Sequence, residues 1–331
     1  MTALPLFIII AAALYAAITA APAPESLAAL PLFFGPVIDR TTLTDAMRGF
    51  KTIFTKAYDE GRSYADSLAM RVESVTRQEE YRWLGALPGL REWLGERAVK
   101  DLAQDGFVIK NRDFEATVAV SRNDIEDDNL SLYKPLFAQL GELARQHPDQ
   151  MLFELLSGGF TTACHDGQFF FDTGHPNGAQ AAWGNKSTDA RSAASYETAR
   201  HAMMSLVNDE GRPMRLTPSS LIVPPQLEKT ALDILRADRS ANGASNVWAN
   251  SADIIVAPEL AANPTYWFLA DLRRAVKPFI LQMRQAPRFT AMDNPDDENV
   301  FMRKEYLYGV DYRGAAGYGL PALIHGSTGG A

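Results

Sequence analysis

Residues 79–97 read EEYRWLGALPGLREWLGER, and this stretch limits the fold more than any other. Trp83 and Trp93 alternate there with Arg82, Arg91 and Arg97, while Pro88, Gly85, Gly89 and Gly95 prevent one regular helix. So short a loop cannot bury its rings against itself. Trp and Arg are also the residues that dominate protein interfaces when buried at the centre. The stretch is therefore read as an arm that docks on another subunit through Arg82, Trp83, Leu87, Leu90, Arg91, Trp93 and Arg97. The alternative is a hairpin folded back on its own core.

The flanks describe an excursion from a sheet. Leu68, Met70 and Val72 alternate before the arm and Phe114, Ala116, Val118 and Val120 after it, which is the period of a strand. Roughly 35 residues of Trp-, Arg- and Gly-rich chain lie between them, a length typical of functional loops. Residues 98–105 are expected to form a short helix closed by Gly106. Ahead of the arm, Thr44 is the expected cap of a helix carrying Met47, Phe50, Phe54 and Ala57 and stopped by Gly61.

Beyond the arm, Asp124, Asp127 and Asp128 precede a long apolar-periodic run: Leu132, Leu136, Leu140, Leu143, Met151, Leu152, Leu155 and Leu156. Pro148 inside it is expected to kink the helix or divide it, and Gly158 and Gly159 to end it. Residues 160–186 read as an irregular loop with short strands. Helices are expected at 195–208 and 227–235, a polar loop at 236–250, and strands at 221–223, 254–257, 267–270 and 279–283. Residues 293–298 read as an exposed acidic turn and 301–312 as a long strand, broken by Gly314, Gly317 and Gly319 before 320–324. Helices alternating with non-local strands indicate α+β architecture.

The formal charge of −8, from 32 basic and 40 acidic residues, excludes a protein that grips nucleic acid over its whole surface. The single cysteine, Cys164, excludes an intrachain disulfide and a four-cysteine zinc site. Residues 4–21 are almost wholly apolar and reach the roughly 18 residues of a membrane-span candidate. No basic residue precedes Arg40, so the run lacks the leader of a secretory signal and the anchors of a span. It is read as an N-terminal arm packed on protein, with a membrane anchor or export signal as the alternative.

Catalytic motifs are missing: there is no Gly-x-Ser-x-Gly elbow and no Walker loop, and GAAGYG at 314–319 has the wrong spacing for a dinucleotide fingerprint. Cys164, His165, Asp166, Asp172 and His175 supply every metal-ligand type, yet without a helical His pair or a tetrahedral pattern. They read as a polar turn satisfying its own backbone, so no cofactor, metal or catalytic residue is expected. The basic residues Arg82, Arg91, Arg97, Lys100, Arg112 and Arg122 gather around the arm, whereas Glu126, Asp127, Asp128 and the turn at 293–298 are acidic. Opposite charges on different faces of one subunit can meet across copies.

Five segments carry a resemblance: YRWLGALPGLREWLGER, FEATVAVSRNDIEDDN, ELARQHPDQMLFELLSGGF, CHDGQFFFDTGHP and DENVFMRKEYLYGVDYRGAAGYG. In this order, from about Leu43 to about Ser327, they closely resemble the major head subunit (gpT) family of Mu-like tailed bacteriophages and prophages; the first forty or so residues lie outside the match. The resemblance implies a Hong Kong 97-like phage capsid fold with an N-terminal arm, an extended β-hairpin (the E-loop), a peripheral domain with a long spine helix, and an axial domain. Its boundaries here are an apolar, Pro-punctuated arm at 1–43, the start of the peripheral domain at 44–78 and the E-loop at 79–112. The spine-helix part of the peripheral domain is at 113–160, the axial domain at 161–275, peripheral strands at 276–313 and the axial return at 314–331. It further implies a major capsid protein that assembles with itself into hexamers and pentamers, alongside a scaffold, a head-maturation protease, a portal and a cement or decoration protein. Packaged DNA would touch the inner face without sequence specificity, and no membrane is involved.

Overall fold

The first described helix, α1 (Arg40–Glu60), starts ahead of the expected cap at Thr44 and buries Leu43, Ala46, Phe50 and Phe54, one apolar stripe at helical spacing. A computed structural model describes residues 40–84, 106–127, 129–239 and 243–330. The apolar run at 4–21, the site residues Leu87, Leu90, Arg91, Trp93 and Arg97, and the helix expected at 98–105 lie outside them.

After α1 come α2 (Ala65–Leu68), β1 (Ala69–Glu73), β2 (Gln78–Tyr81), β3 (Phe107–Lys110), β4 (Arg112–Ser121), α3 (Arg122–Glu126) and the long α4 (Lys134–Gly158). Pro148 does not divide α4. It removes the N–H that would pair with the Ala144 carbonyl, but it is itself buried between Leu140 and Ala144 on one side and Met151 and Leu152 on the other, and this packing carries the helix through. Leu132, Leu136 and Leu143 belong to the same apolar run and yet are exposed, so the run serves two faces. At Gly141 a Cβ would lie 2.5 Å from the Phe54 carbonyl oxygen, which is how closely α1 approaches α4.

These helices cover a four-stranded sheet in the order β1-β11-β12-β4, with β11 (Phe279–Met292) and β12 (Glu305–Tyr318) at its centre. β1 runs parallel to β11, and the other pairs are antiparallel. Phe50 stacks on Phe137 at 4.1 Å, and both meet Tyr308 edge-on. β12 alternates, burying Tyr306, Tyr308, Val310 and Tyr312.

The remaining elements are β5 (His175–Asn177), β6 (Gln180–Trp183), β7 (Lys186–Ser187), α5 (Ala193–Met204), β8 (Ser220–Val223), α6 (Glu228–Leu235), β9 (Asp253–Val256), β10 (Trp267–Ala270), α7 (Glu298–Arg303) and β13 (Ile324–Ser327). A second sheet has the order β7-β13-β10-β8-β9. Its inner strands are buried on both faces. Leu221, Val223, Trp267 and Leu269 pack with Tyr196 and Met203 of α5 and Leu235 of α6, while Ile222 and Phe268 join a core fed by Met151, Leu152, Phe153 and Leu156 of α4. Full burial explains why SLIV and WFLA are almost continuously apolar.

Four expectations are corrected. β11 does not stop at Met283; it continues past two irregularities, between Met283 and Gln285 and between Gln285 and Arg288, and its half-solvated polar residues masked the continuation. Residues 301–303 are helical, because α7 intervenes and ends at Lys304 in the left-handed region; Phe301 and Met302, which resembled strand residues, are 85% and 68% exposed. β12 passes through Gly314 and Gly317 instead of ending there, since these glycines serve close approach. α5 stops at Met204, short of 208, after starting on a Ser192/Ser195 capping box.

The junction between α1 and β1 hangs on one carboxylate of α4. Asp149 accepts hydrogen bonds from the Ser63 hydroxyl (2.7 Å) and from the Tyr64 and Ala65 N–H groups (2.9 and 2.8 Å). Asp149→Ala removes the acceptor of the Ser63 hydroxyl and the Tyr64 N–H and leaves the Ala65 N–H only the Ser63 oxygen at 3.2 Å, and is expected to lower subunit stability by about 1–3 kcal/mol, read from the midpoint of urea unfolding.

Candidate functional site at the root of the arm

β2 and β3 pair antiparallel from Gln78↔Lys110 to Tyr81↔Phe107, so this ladder joins the two described segments that flank 85–105. This short ladder, which alternation alone did not reveal, is the root of the arm. Glu80 closes it by accepting from the Gly106 N–H at 3.0 Å and from the Arg82 guanidinium at 3.0 Å.

The root is locked to the four-stranded sheet by a polar chain centred on Gln282, whose side chain is wholly buried in β11. The Gln282 Oε1 accepts from the Tyr81 hydroxyl at 2.9 Å, and its Nε2 donates to Asn111 Oδ1 at 2.7 Å and to the Ile109 carbonyl at 3.3 Å. Asn111 Nδ2 then donates to Ser74 Oγ and the Thr76 carbonyl, at 2.8 and 2.9 Å. Ser74 donates to Glu79 Oε1 at 2.8 Å, and the same oxygen takes the N–H groups of Val75 and Thr76. Every member finds a partner, which is the condition under which a buried polar network fixes a unique geometry.

Apolar contacts hold the other face. Tyr81, Leu84 and Ile109 pack with Leu216, Ile280, Leu320 and Leu323. A Cβ on Gly317 would lie 2.3 Å from Ile109 Cδ1, so β12 is a glycine where the root crosses it. Trp83 is half-buried on this cluster, edge-on to Tyr81 at 6.5 Å, and Arg82 is exposed beside Glu80. Of the site residues read from the sequence, these two are described, and Trp83 rests partly on its own subunit.

The network supplies position, not chemistry. Burial, and then the charge of Glu79, pushes the Tyr81 hydroxyl up to about 12, so it remains a donor. The Ser74 hydroxyl, followed by the Val75 and Thr76 N–H groups, holds the Glu79 carboxyl below its ordinary value. The Arg82 guanidinium does the same for Glu80.

Elsewhere, Arg122 pairs at 2.9 Å with Glu126 on its own helix, so two charges expected to meet across copies meet within one turn. Arg112 lies 5.3 Å over the Phe114 ring. Exposed pairs of this kind contribute about 0–1 kcal/mol. His147 bonds the Tyr312 hydroxyl, and burial lowers His325 to about 4. Cys164, Asp166 and His175 converge in space, while Asp172 turns away to cap the Thr173 and Gly174 N–H groups.

A sheet covered by a long helix and a second sheet sharing that helix's core, with the β2–β3 ladder beside them, have the Hong Kong 97-type phage capsid fold. A chain in the procapsid of bacteriophage JBD30 superimposes with a TM-score of 0.60 at 31% identity, covering 88% of this chain and 76% of that one. The virus-like particle of Pyrococcus furiosus shares the fold at 12% identity, with a TM-score of 0.51 over 85% of this chain and 98% of the other. The family model of the Mu-like prophage major head subunit gpT matches residues 43–191, 177–260 and 261–330. The major capsid protein of Escherichia phage Mu is 31% identical over 283 residues, 86% of this chain and 72% of that protein. The chain belongs to the Mu-like major head subunit family and is a major capsid protein.

Gln282→Leu strands the Tyr81 hydroxyl and one Asn111 oxygen, and is expected to cost about 2–3 kcal/mol in urea unfolding while making residues 85–105 more susceptible to protease. Glu79 gives a pH-dependent counterpart. Because its folded-state pKa lies below the ordinary 4.5, its contribution is complete above that pH and lost as the pH falls below it. Protection of the Val75 and Thr76 amides against hydrogen exchange should therefore drop on acidification, and Glu79→Gln should remove that step.

Proposed function

We propose that copies of this chain close into the hexamers and pentamers of an icosahedral shell around double-stranded DNA, with the arm from 79–112 as a principal contact between neighbours. The observation that carries this reading is the arm root. The Gln282 network fixes β2 and β3, the strands that 85–105 connect, and a docking element fixed at its base loses less freedom when it binds. Leu87, Leu90, Arg91, Trp93 and Arg97 make the contact with the neighbouring subunit, while Trp83 braces the root. Closure multiplies many weak contacts into a stable container.

In the same reading the α1–α4 sheet is the peripheral domain and the five-stranded sheet the axial domain, with boundaries near 160 and 276. A scaffold, a head-maturation protease and a portal act with the subunit, a cement protein decorates the shell, and DNA lies against the inner face without base readout. Assembly takes place in the bacterial host cytoplasm. Among the described residues no helix is long and apolar enough to cross a membrane.

Electron microscopy of expressed protein tests the assignment. Trp93→Ala is expected to yield folded subunits that form no shells. Trp83→Ala is expected to lower subunit stability as well, because its ring also packs on Tyr81. Normal particles from Trp93→Ala would rule out the docking role.

A further inference from the structure

We propose that Cys164, Asp166 and His175 form a binding site for one Zn²⁺ ion. Cys164 Sγ lies 3.1 Å from Asp166 Oδ1, and Asp166 Oδ2 lies 2.6 Å from His175 Nδ1. One ligand atom from each of the three fits within 4.8 Å of the others. Cys164 and His175 are buried, and the His175 ring stacks on Trp183 at 4.4 Å.

Asn185 fixes which nitrogen of His175 carries a proton. Its Nδ2 is within hydrogen-bonding distance of the carbonyls of Phe170, Pro321 and Ile324, at 2.9, 3.0 and 3.1 Å. That leaves its Oδ1 facing the Asp172 N–H at 2.9 Å and His175 Nε2 at 3.1 Å. An oxygen there requires the proton on Nε2. In the neutral ring, Nδ1 is then a lone pair aimed at a carboxylate oxygen. Two acceptors so close need a cation between them, either a proton or a metal.

A thiol on the other carboxylate oxygen favours the metal, since sulfur, imidazole nitrogen and carboxylate oxygen are zinc's ligands. A His oriented through its second nitrogen by a carbonyl oxygen is the usual support of such a ligand. Metal–ligand distances of about 2.0–2.3 Å place tetrahedral ligands about 3.3–3.6 Å apart, and the three ligand atoms, all within 4.8 Å of one another, reach that spacing by shifts of roughly 1 Å. Asp166 also lines a cavity of about 390 Å³ with His165 and Trp183, which gives the ion a way in. The His165 Nδ1 is buried without a hydrogen-bond partner, and His165 lines the same cavity as Asp166. On binding, the Cys164 thiol gives its proton to solvent, as does any proton held between Asp166 and His175, so affinity falls as the pH drops.

The test uses the full chain stripped with EDTA and titrated with Zn²⁺ or Co²⁺ alone. One equivalent per chain, with thiolate-to-cobalt charge-transfer absorption and a raised melting temperature on adding Zn²⁺, is the expected result. Cys164→Ser should lose that absorption and weaken binding by about tenfold or more. The wild-type spectrum needs no variant to fold. Absence of saturable one-to-one binding, or identical titrations of wild type and Cys164→Ser, would overturn the proposal and leave a proton as the cation between His175 and Asp166.

Discussion

Every core in the body of this subunit except the ones at the arm root and beneath α5 and α6 is built on α4. Its first half delivers Phe137, Leu140 and Ala144 to the aromatic cluster with Phe50, Phe54 and Tyr308, and its second half delivers Met151, Leu152, Phe153 and Leu156 to the cluster that reaches the second sheet. Burial of each such side chain stabilises by roughly 1.5–3 kcal/mol. One helix serves both clusters, and in the second of them Phe279, Leu281 and Tyr318 of the four-stranded sheet join Ile222, Phe268 and Ile324 of the five-stranded sheet, so the two sheets share one core. Pro148 sits between the two halves, at the point where a weaker helix would bend.

The arm root is held differently. Where α4 relies on apolar area, the root relies on directional bonds that run from Tyr81 to Gln282, from Gln282 to Asn111, from Asn111 to Ser74 and from Ser74 to Glu79, backed by Ile109 on Gly317. Apolar packing tolerates sliding, whereas a satisfied polar chain does not. The division gives the subunit a body held by packing and a β2–β3 ladder held in one geometry.

Much of this was legible in the chain. The alternation of Phe114 to Val120, the helical stripe from Phe50, and the apolar runs at 221–223 and 267–270 all lie where regular structure forms. What escaped has physical causes. β11 is half-solvated past Met283, so its period fades, and Phe301 and Met302 are apolar but exposed, so they imitate a strand. Glycines at 314 and 317 read as breakers because their use depends on what packs against them, and Ile109 is distant in sequence. The root's partners were equally hidden, though one signal was present: Gln282 interrupts the apolar run FILQM, and a polar side chain in a buried strand must have a partner. The placement of Trp83 against Tyr81 follows from the β2–β3 ladder, which is too short for alternation to reveal.

The long central ladder has a mechanical corollary. β11 and β12 pair from Phe279↔Tyr318 to Met292↔Leu307, and β12 continues its pairing into β4. A pull along these strands loads the whole row of hydrogen bonds in shear, so none can fail before its neighbours, whereas a pull across them would peel the row open one bond at a time. A subunit loaded along these strands therefore resists stretching at no cost in extra mass.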